Sequence, residues 1–127
     1  MSESPVTTTP LRVLIVDDDI DSADTLGELL TTFGHEVRVV YEGDAALELG
    51  RVWVPHIIFL DLDLPVMDGY EVARRLREKD GALTRIIALS GFGRPIDLER
   101  SLGAGCDQHL VKPPHVGDIL RILANKG

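Results

Sequence analysis

The stretch Ile57-Ile58-Phe59-Leu60-Asp61-Leu62-Asp63 decides how the rest of the chain is read. An apolar run without polar alternation suits a short strand buried on both faces, and here it stops abruptly on acid. The same figure stands earlier, where Leu11–Val16 leads into Asp17, Asp18 and Asp19. It returns later with other polar endings: Arg85–Leu89 leads into Ser90, and Gln108–Val111 leads into Lys112. Val37–Tyr41 is a further strand.

Helical spacing fills the gaps between these runs. Ala23, Leu26, Leu30 and Phe33 recur at helical intervals, and Gly34 stands where that helix stops. Asp44–Gly50 is a short helix with Ala45, Ala46 and Leu49 on its apolar side. Val72, Ala73 and Leu76 mark a third helix, with Arg74, Arg75 and Arg77 off the apolar stripe. Pro95 to Leu102 is a weaker fourth, opened by proline and closed by Gly103 and Gly105. Val116, Ile119, Leu120 and Leu123 form the last. Strand and helix thus alternate throughout, which predicts an α/β domain with a parallel sheet covered by helices on both faces. The Ser-, Thr- and Pro-rich start, residues 1–10, reads as a flexible segment ahead of a domain over 11–125.

Charge and composition narrow the function classes. Thirteen basic residues against twenty-one acidic ones give a net charge of -8. That sign argues against direct binding of nucleic acid or anionic lipid, which basic surfaces hold. The lone cysteine, Cys106, excludes an internal disulfide and reads as a small buried hydrophobe. No apolar run approaches the roughly 20 residues of a membrane span, and the start lacks the pattern of a secretory signal. The expectation is a cytoplasmic protein.

In folds of this kind the working site lies at the carboxyl ends of the strands. That rule gathers Asp17, Asp18, Asp61, Asp63, Ser90 and Lys112 at one edge. Crowded carboxylates repel, and a hard cation with oxygen ligands relieves them, so Mg²⁺ (or Mn²⁺) fits. A carboxylate can also accept a phosphoryl group, provided the equatorial oxygens are neutralised. The metal, a hydroxyl from Ser90 and the ammonium of Lys112 would each take one oxygen. His35, His56, His109 and His115 are scattered and show no zinc-ligand spacing, so each is expected at the surface or core edge.

Four segments, VLIVDDD at 13–19, FLDLDLPVMDG at 59–69, IALSGFG at 87–93 and HLVKP at 109–113, resemble the receiver domain of response regulators and hybrid histidine kinases. The likeness runs over nearly the whole chain. It implies a three-layer, flavodoxin-like (βα)5 doubly wound sheet with strand order 2-1-3-4-5. It implies Asp61 as phosphoacceptor, Asp17 and Asp18 as the acidic pair, and the backbone carbonyl of Asp63 as a further metal ligand. Ser90 matches the switch hydroxyl and Lys112 the conserved-role lysine, with a cis bond to Pro113. Asp68-Gly69 matches the loop that opens the third helix. The phosphoryl donor would be a histidine kinase or a histidine phosphotransfer domain, and the output would be a shift of the face built from the fourth helix, fifth strand and fifth helix. A monomer or weak homodimer is expected, and the downstream effector stays open. The chain ends just after the last helix, at Lys126-Gly127, which fits either a stand-alone regulator or a receiver within a larger protein.

Three positions depart from the family pattern. His109 stands where a Tyr or Phe switch ring is usual, and imidazoles titrate near neutrality, so altered ring packing or pH sensitivity is expected. Pro114 replaces an apolar residue, leaving the start of the last helix open. The Ser-Gly-Phe-Gly run at 90–93 is closer to receivers of hybrid kinases, with Phe92 and Asp63 expected to flank the path of attacking water. Two alternatives stand beside this reading. One is a degenerate receiver that binds partners without phosphorylation. The other is a haloacid-dehalogenase-like phosphatase, because Asp61-Leu62-Asp63 resembles the start of that signature, although Pro65 holds the place of its Thr.

Overall fold

A computed structural model of the chain describes residues 10–80, 84–91 and 95–124. Residues 1–9, expected as a flexible lead-in, lie outside the described residues, as does Phe92. The strands are β1 (Arg12–Val16), β2 (Glu36–Val40), β3 (Ile57–Asp61), β4 (Arg85–Ser90) and β5 (Gln108–Val111). The helices are α1 (Ile20–Thr32), α2 (Gly43–Leu49), α3 (Gly69–Asp80), α4 (Pro95–Gly103) and α5 (Val116–Ala124). All neighbouring strands pair in parallel, in the order β2-β1-β3-β4-β5. This is the doubly wound, flavodoxin-like sheet expected from the sequence.

The two-residue repeat of a strand sends alternate side chains to opposite faces. Val13, Ile15, Ile57, Phe59, Ile87 and Leu89 pack with Ala23 and Leu30 of α1 and with Ile119, Ile122 and Leu123 of α5. Leu14, Val16, Ile58, Leu60, Ile86 and Ala88 pack on the other side with Ala46 of α2 and with Val72, Ala73 and Leu76 of α3. Two cores on one sheet make three layers. The three inner strands are apolar on both faces for this reason. The edge strands β2 and β5 are not, and β2 presents Arg38 above the Trp53 ring, 4.9 Å from its centre.

Element ends have local causes. Asp19 caps α1 by accepting from the Ser22 amide at 3.3 Å, and Gly34 follows the helix with φ of 95°. The second strand starts and stops one residue earlier than the sequence suggests. The Glu36 amide already bonds the Leu11 carbonyl at 2.9 Å, and pairing with β1 ends at Val16↔Val40. Tyr41 is left without a strand partner, and its hydroxyl donates to Asp24 instead, at 2.7 Å. Pro114 does not displace α5, which opens at Val116 with the Ile119 amide bonded to the His115 carbonyl. Arg77, expected off the apolar stripe, is half-buried. Its guanidinium donates to the carbonyls of Thr84 and Gly105 and to Asp107, tying α3 to the turn before β5.

Candidate functional site

Each candidate side chain sits where its strand ends. Asp61 closes β3, Ser90 closes β4, Asp17 and Asp18 follow β1, and Lys112 follows β5. Parallel pairing brings these ends together, since Asp61 pairs with Leu89 and Ser90 with Val111. Asp17 and Asp61 are each 2% exposed, whereas Asp18 faces solvent. Carboxylate oxygens of Asp17, Asp18 and Asp61 lie within 4.8 Å of one another.

Two tight turns aim the buried pair. Asp17 Oδ1 accepts from the Asp19 amide at 2.9 Å, and Asp61 Oδ1 accepts from the Asp63 amide at 2.9 Å. The second oxygen of each faces one ammonium: Lys112 Nζ lies 2.9 Å from Asp17 Oδ2 and 3.3 Å from Asp61 Oδ2. The Lys112 amide also donates to the Ser90 carbonyl at 2.7 Å, which fixes its backbone. The Lys112–Pro113 bond is cis, as the family resemblance implies.

Burial pushes the Asp61 carboxyl up, to about 7. The Asp63 amide and Lys112 oppose that shift, while hydrogen bonding and repulsion from Asp17 add to it. Burial works against the Lys112 ammonium too, but its hydrogen bonds and charge pairing with Asp17 and Asp61 outweigh this and raise it. With all three carboxyls ionised, the single ammonium leaves two negative charges uncompensated. All the donors are oxygens. A divalent hard cation matches both that charge and that donor type.

Asp63 stands apart from the acidic cluster. Its carboxylate accepts from the Gly91 amide at 3.4 Å, bridging the loops after β3 and β4. Gly69 is required by close approach: a Cβ there would lie 2.5 Å from Leu62 Cα and 2.6 Å from the Asp61 carbonyl oxygen. Cys106 is buried, and burial pushes its thiol up to about 11, in keeping with an inert core residue.

His109 lies at the core edge, as expected, and at the ring position singled out from the sequence. Its Nε2 lies 2.7 Å from Ser90 Oγ and its Nδ1 lies 3.3 Å from Ser101 Oγ. Sequence reasoning placed His109 on the fifth strand but missed both contacts. The available signal was its place at the family's switch-ring position, three residues before Lys112.

Comparison with known proteins gives this site its family. The family model for the response regulator receiver domain matches residues 13–124. The chain belongs to the response regulator receiver family. This replaces the haloacid-dehalogenase alternative. Over 110 residues the receiver is 36% identical to the cell cycle response regulator CtrA of Brucella ovis, covering 87% of this chain and 47% of the relative. It therefore spans about half the length of the curated relatives it matches. Among solved structures it is similar to the Saccharomyces cerevisiae receiver domain of Ssk1, crystallised with the histidine phosphotransfer protein Ypd1. That match has a TM-score of 0.84 and 26% identity, covering 92% of this chain and 88% of that one. It is also similar to a Burkholderia pseudomallei response regulator solved with a phosphorylated aspartic acid, calcium ion and citrate. There the TM-score is 0.82 and the identity 28%, covering 91% and 66% of the two chains.

Proposed function

We propose that this receiver, over residues 11–125, takes a phosphoryl group from a phosphohistidine onto Asp61, with Mg²⁺ (or Mn²⁺) held by Asp17, Asp18, Asp61 and the Asp63 carbonyl. The observation that carries the reading is the cluster itself: three carboxylates within 4.8 Å, with the Lys112 ammonium 3.3 Å from Asp61. When bound, the cation neutralises the acids and draws charge from a phosphoryl oxygen.

The chain's own residues do the rest. Asp61 Oδ1 is held by the Asp63 amide, so Oδ2, which faces Lys112, forms the new P–O bond. As that bond forms the donor's P–N bond breaks, and its electron pair stays on the donor imidazole. Lys112 pairs with the charge that arrives, and Ser90 donates its hydroxyl proton to a phosphoryl oxygen. The receiver thereby assists its own phosphorylation and dephosphorylation, without acting on a separate substrate. Asp63, bonded to Gly91 beside the acceptor, is placed to affect the lifetime of the phosphoryl group.

The neighbours support the donor and the chemistry. A phosphorylated aspartate occurs in the Burkholderia protein, and a histidine phosphotransfer protein binds the Ssk1 receiver. A groove of about 590 Å³ between α1 and α5 runs beside Asp17 and Lys112, lined by Leu26, Leu29, Pro113 and Val116. It offers an apolar seat for the protein that carries the phosphohistidine. Phosphorylation then shifts the α4-β5-α5 face, which carries exposed Leu102 and Val111. The setting proposed is cytoplasmic two-component signalling by a monomer or weak homodimer. Among the described residues no helix is long and apolar enough to cross a membrane.

The test is transfer from a radiolabelled, phosphorylated histidine phosphotransfer domain. Label should pass to the wild type and not to Asp61→Asn. Label that stays on several such donors in the presence of Mg²⁺ would favour the degenerate, binding-only receiver.

A further inference from the structure

β2 is an outer strand of the sheet. Its neighbour is β1, and among the described residues no strand lies on its other side. The Glu36 amide donates to the Leu11 carbonyl, and the Val40 carbonyl accepts from the Asp17 amide. Successive residues of a strand turn their main-chain groups to opposite sides. Glu36, Arg38 and Val40 therefore face β1, and the N–H and C=O groups of Val37 and Val39 face outward. Beside this edge, on the α1 side, lies a groove of about 500 Å³. Val37 and Val39, both half-buried, form its floor. Gly27 leaves that floor uncovered, since a Cβ there would lie 3.0 Å from Val39 Cγ2. Asp24, Glu28, Thr31 and Thr32 of α1 make the wall. The threonine hydroxyls donate to the carbonyls of Gly27 and Glu28, at 2.8 and 2.9 Å. The two carboxylates are the charged groups of the wall, and the Tyr41 hydroxyl, just past the end of β2, donates to Asp24 at 2.7 Å.

We propose that the outer edge of β2 takes up an extended, basic segment of a partner protein as a sixth strand, with its Lys or Arg side chains laid across the groove to Asp24 and Glu28. This goes beyond the acceptor role of Asp61 and does not depend on it. Strand addition draws affinity from main-chain hydrogen bonds, here to Val37 and Val39, and specificity from alternate side chains. The side chains that fall on the α1 face meet an apolar floor and an acidic wall. Long basic side chains match both, because their stems cover Val37 and Val39 while their charged heads reach the carboxylates.

The spacing agrees. Asp24 and Glu28 stand one turn apart on α1, about 6 Å along the helix. Alternate residues of a strand are about 6.7 Å apart. A crossover helix runs back along the strands it joins, so basic residues two apart in the segment meet both acids at once. On the opposite face, Glu36 accepts from Trp53 Nε1 at 3.3 Å and Arg38 lies 4.9 Å from the centre of the same ring. These opposite charges offset each other, so that face favours uncharged residues in the segment. A second copy of this chain is a poor occupant. Pairing β2 with β2 would set acidic wall against acidic wall, on chains that each carry a net charge of -8.

The experiment adds a synthetic peptide in which Thr and Lys alternate, at up to millimolar concentration, to the ¹⁵N-labelled full chain and follows amide signals and hydrogen exchange by NMR. The Val37 and Val39 amides should shift and exchange more slowly as peptide is added. The Glu36 and Arg38 amides, already bonded to β1, should keep their exchange rates. A peptide in which Thr and Glu alternate should leave all four unchanged. The double variant Asp24→Asn, Glu28→Gln should bind the lysine peptide about tenfold more weakly. Val37 and Val39 amides that exchange at the same rate with and without the lysine peptide would overturn the proposal. So would equal binding of the glutamate peptide, or full affinity in the double variant. Slowed exchange at Val37 and Val39 that follows protein concentration without peptide would assign the edge to a second copy instead. The comparison of the two peptides uses the wild type alone, so it decides the matter even if the double variant folds poorly.

Discussion

Asp61 is a buried carboxylate beside another buried carboxylate, and this has a measurable cost in the absence of a cation. Its carboxyl is raised to about 7 from 3.8, chiefly by burial. A raised acid in the fold binds its proton more tightly there than in the unfolded chain. Its contribution therefore falls as pH rises from about 4 to about 7 and levels off above that. Asp61→Asn removes the effect. The variant is expected to be more stable than wild type at pH 8 without divalent cation, by on the order of 1–3 kcal/mol, and to lose that advantage near pH 4. Urea denaturation at the two pH values checks this. Added Mg²⁺ should stabilise the wild type, by about 2.7 kcal/mol at a hundredfold excess over its Kd, and should do far less for the variant. Equal stability of the two proteins at pH 8 would contradict the burial cost assigned to Asp61.

Gly69 sets the second prediction at this scale. A methyl group there meets backbone at 2.5–2.6 Å, and backbone cannot rotate away as a side chain can. Gly69→Ala should destabilise by roughly 1–3 kcal/mol and slow phosphorylation, because the displaced atoms belong to Asp61 and Leu62. Denaturant midpoint and phosphorylation rate should change together. This position was named in the sequence as part of the Asp68-Gly69 loop, but the reason for glycine was not legible. Close approach depends on how the loop from β3 into α3 folds back on itself, which residue types alone do not state. The same holds for His109, whose place on β5 could be read but whose serine partners could not.

At the scale of elements, β1 is fastened at its start by two imidazoles. His35 Nδ1 accepts from the Leu11 amide at 3.1 Å, and His56 Nδ1 accepts from the Arg12 amide at 2.9 Å. Both histidines are lowered, by burial first and for His56 also by Arg12. A lowered histidine stabilises fully above its ordinary pKa near 6.5, and that stability is lost as pH falls below it. The effect opposes that of Asp61, so it is best measured in the Asp61→Asn background. There, the urea midpoint should fall between pH 7.5 and 5.5, and His35→Asn should flatten the slope. An unchanged slope would mean that the imidazole does not hold β1. Arg77 makes a similar tie for α3. Arg77→Met leaves the carbonyls of Thr84 and Gly105 without this donor, and about 2 kcal/mol should be lost in equilibrium unfolding. Arginines at 74, 75 and 77 look alike in sequence. The first two pair with Glu71 at the surface, and only packing against the β5 turn sets Arg77 apart.

On the whole molecule, the parallel sheet and its layers could be read from the chain because Val13 to Val16, Ile57 to Leu60 and Ile86 to Leu89 are apolar on both faces. Only central strands of a covered sheet need that. The edge strands were less clear, since Glu36, Arg38 and Gln108 follow no core requirement, and the boundary of β2 was misplaced by one residue. The residues expected at the site all lie at the strand ends, because parallel alternation alone brings those ends together. The carboxylate of Asp63 is the exception within that group, being turned to Gly91 and away from the acidic cluster. Its carbonyl role belongs to the proposal.

The central claim is that Asp61 takes the phosphoryl group. Intact mass after phosphoramidate or acetyl phosphate, with and without Mg²⁺, on wild type and Asp61→Asn, tests it most directly. A Mg²⁺-dependent gain of about 80 Da (one phosphoryl group) in the wild type alone is the predicted result. No gain in the wild type, or an equal gain in Asp61→Asn, would contradict it.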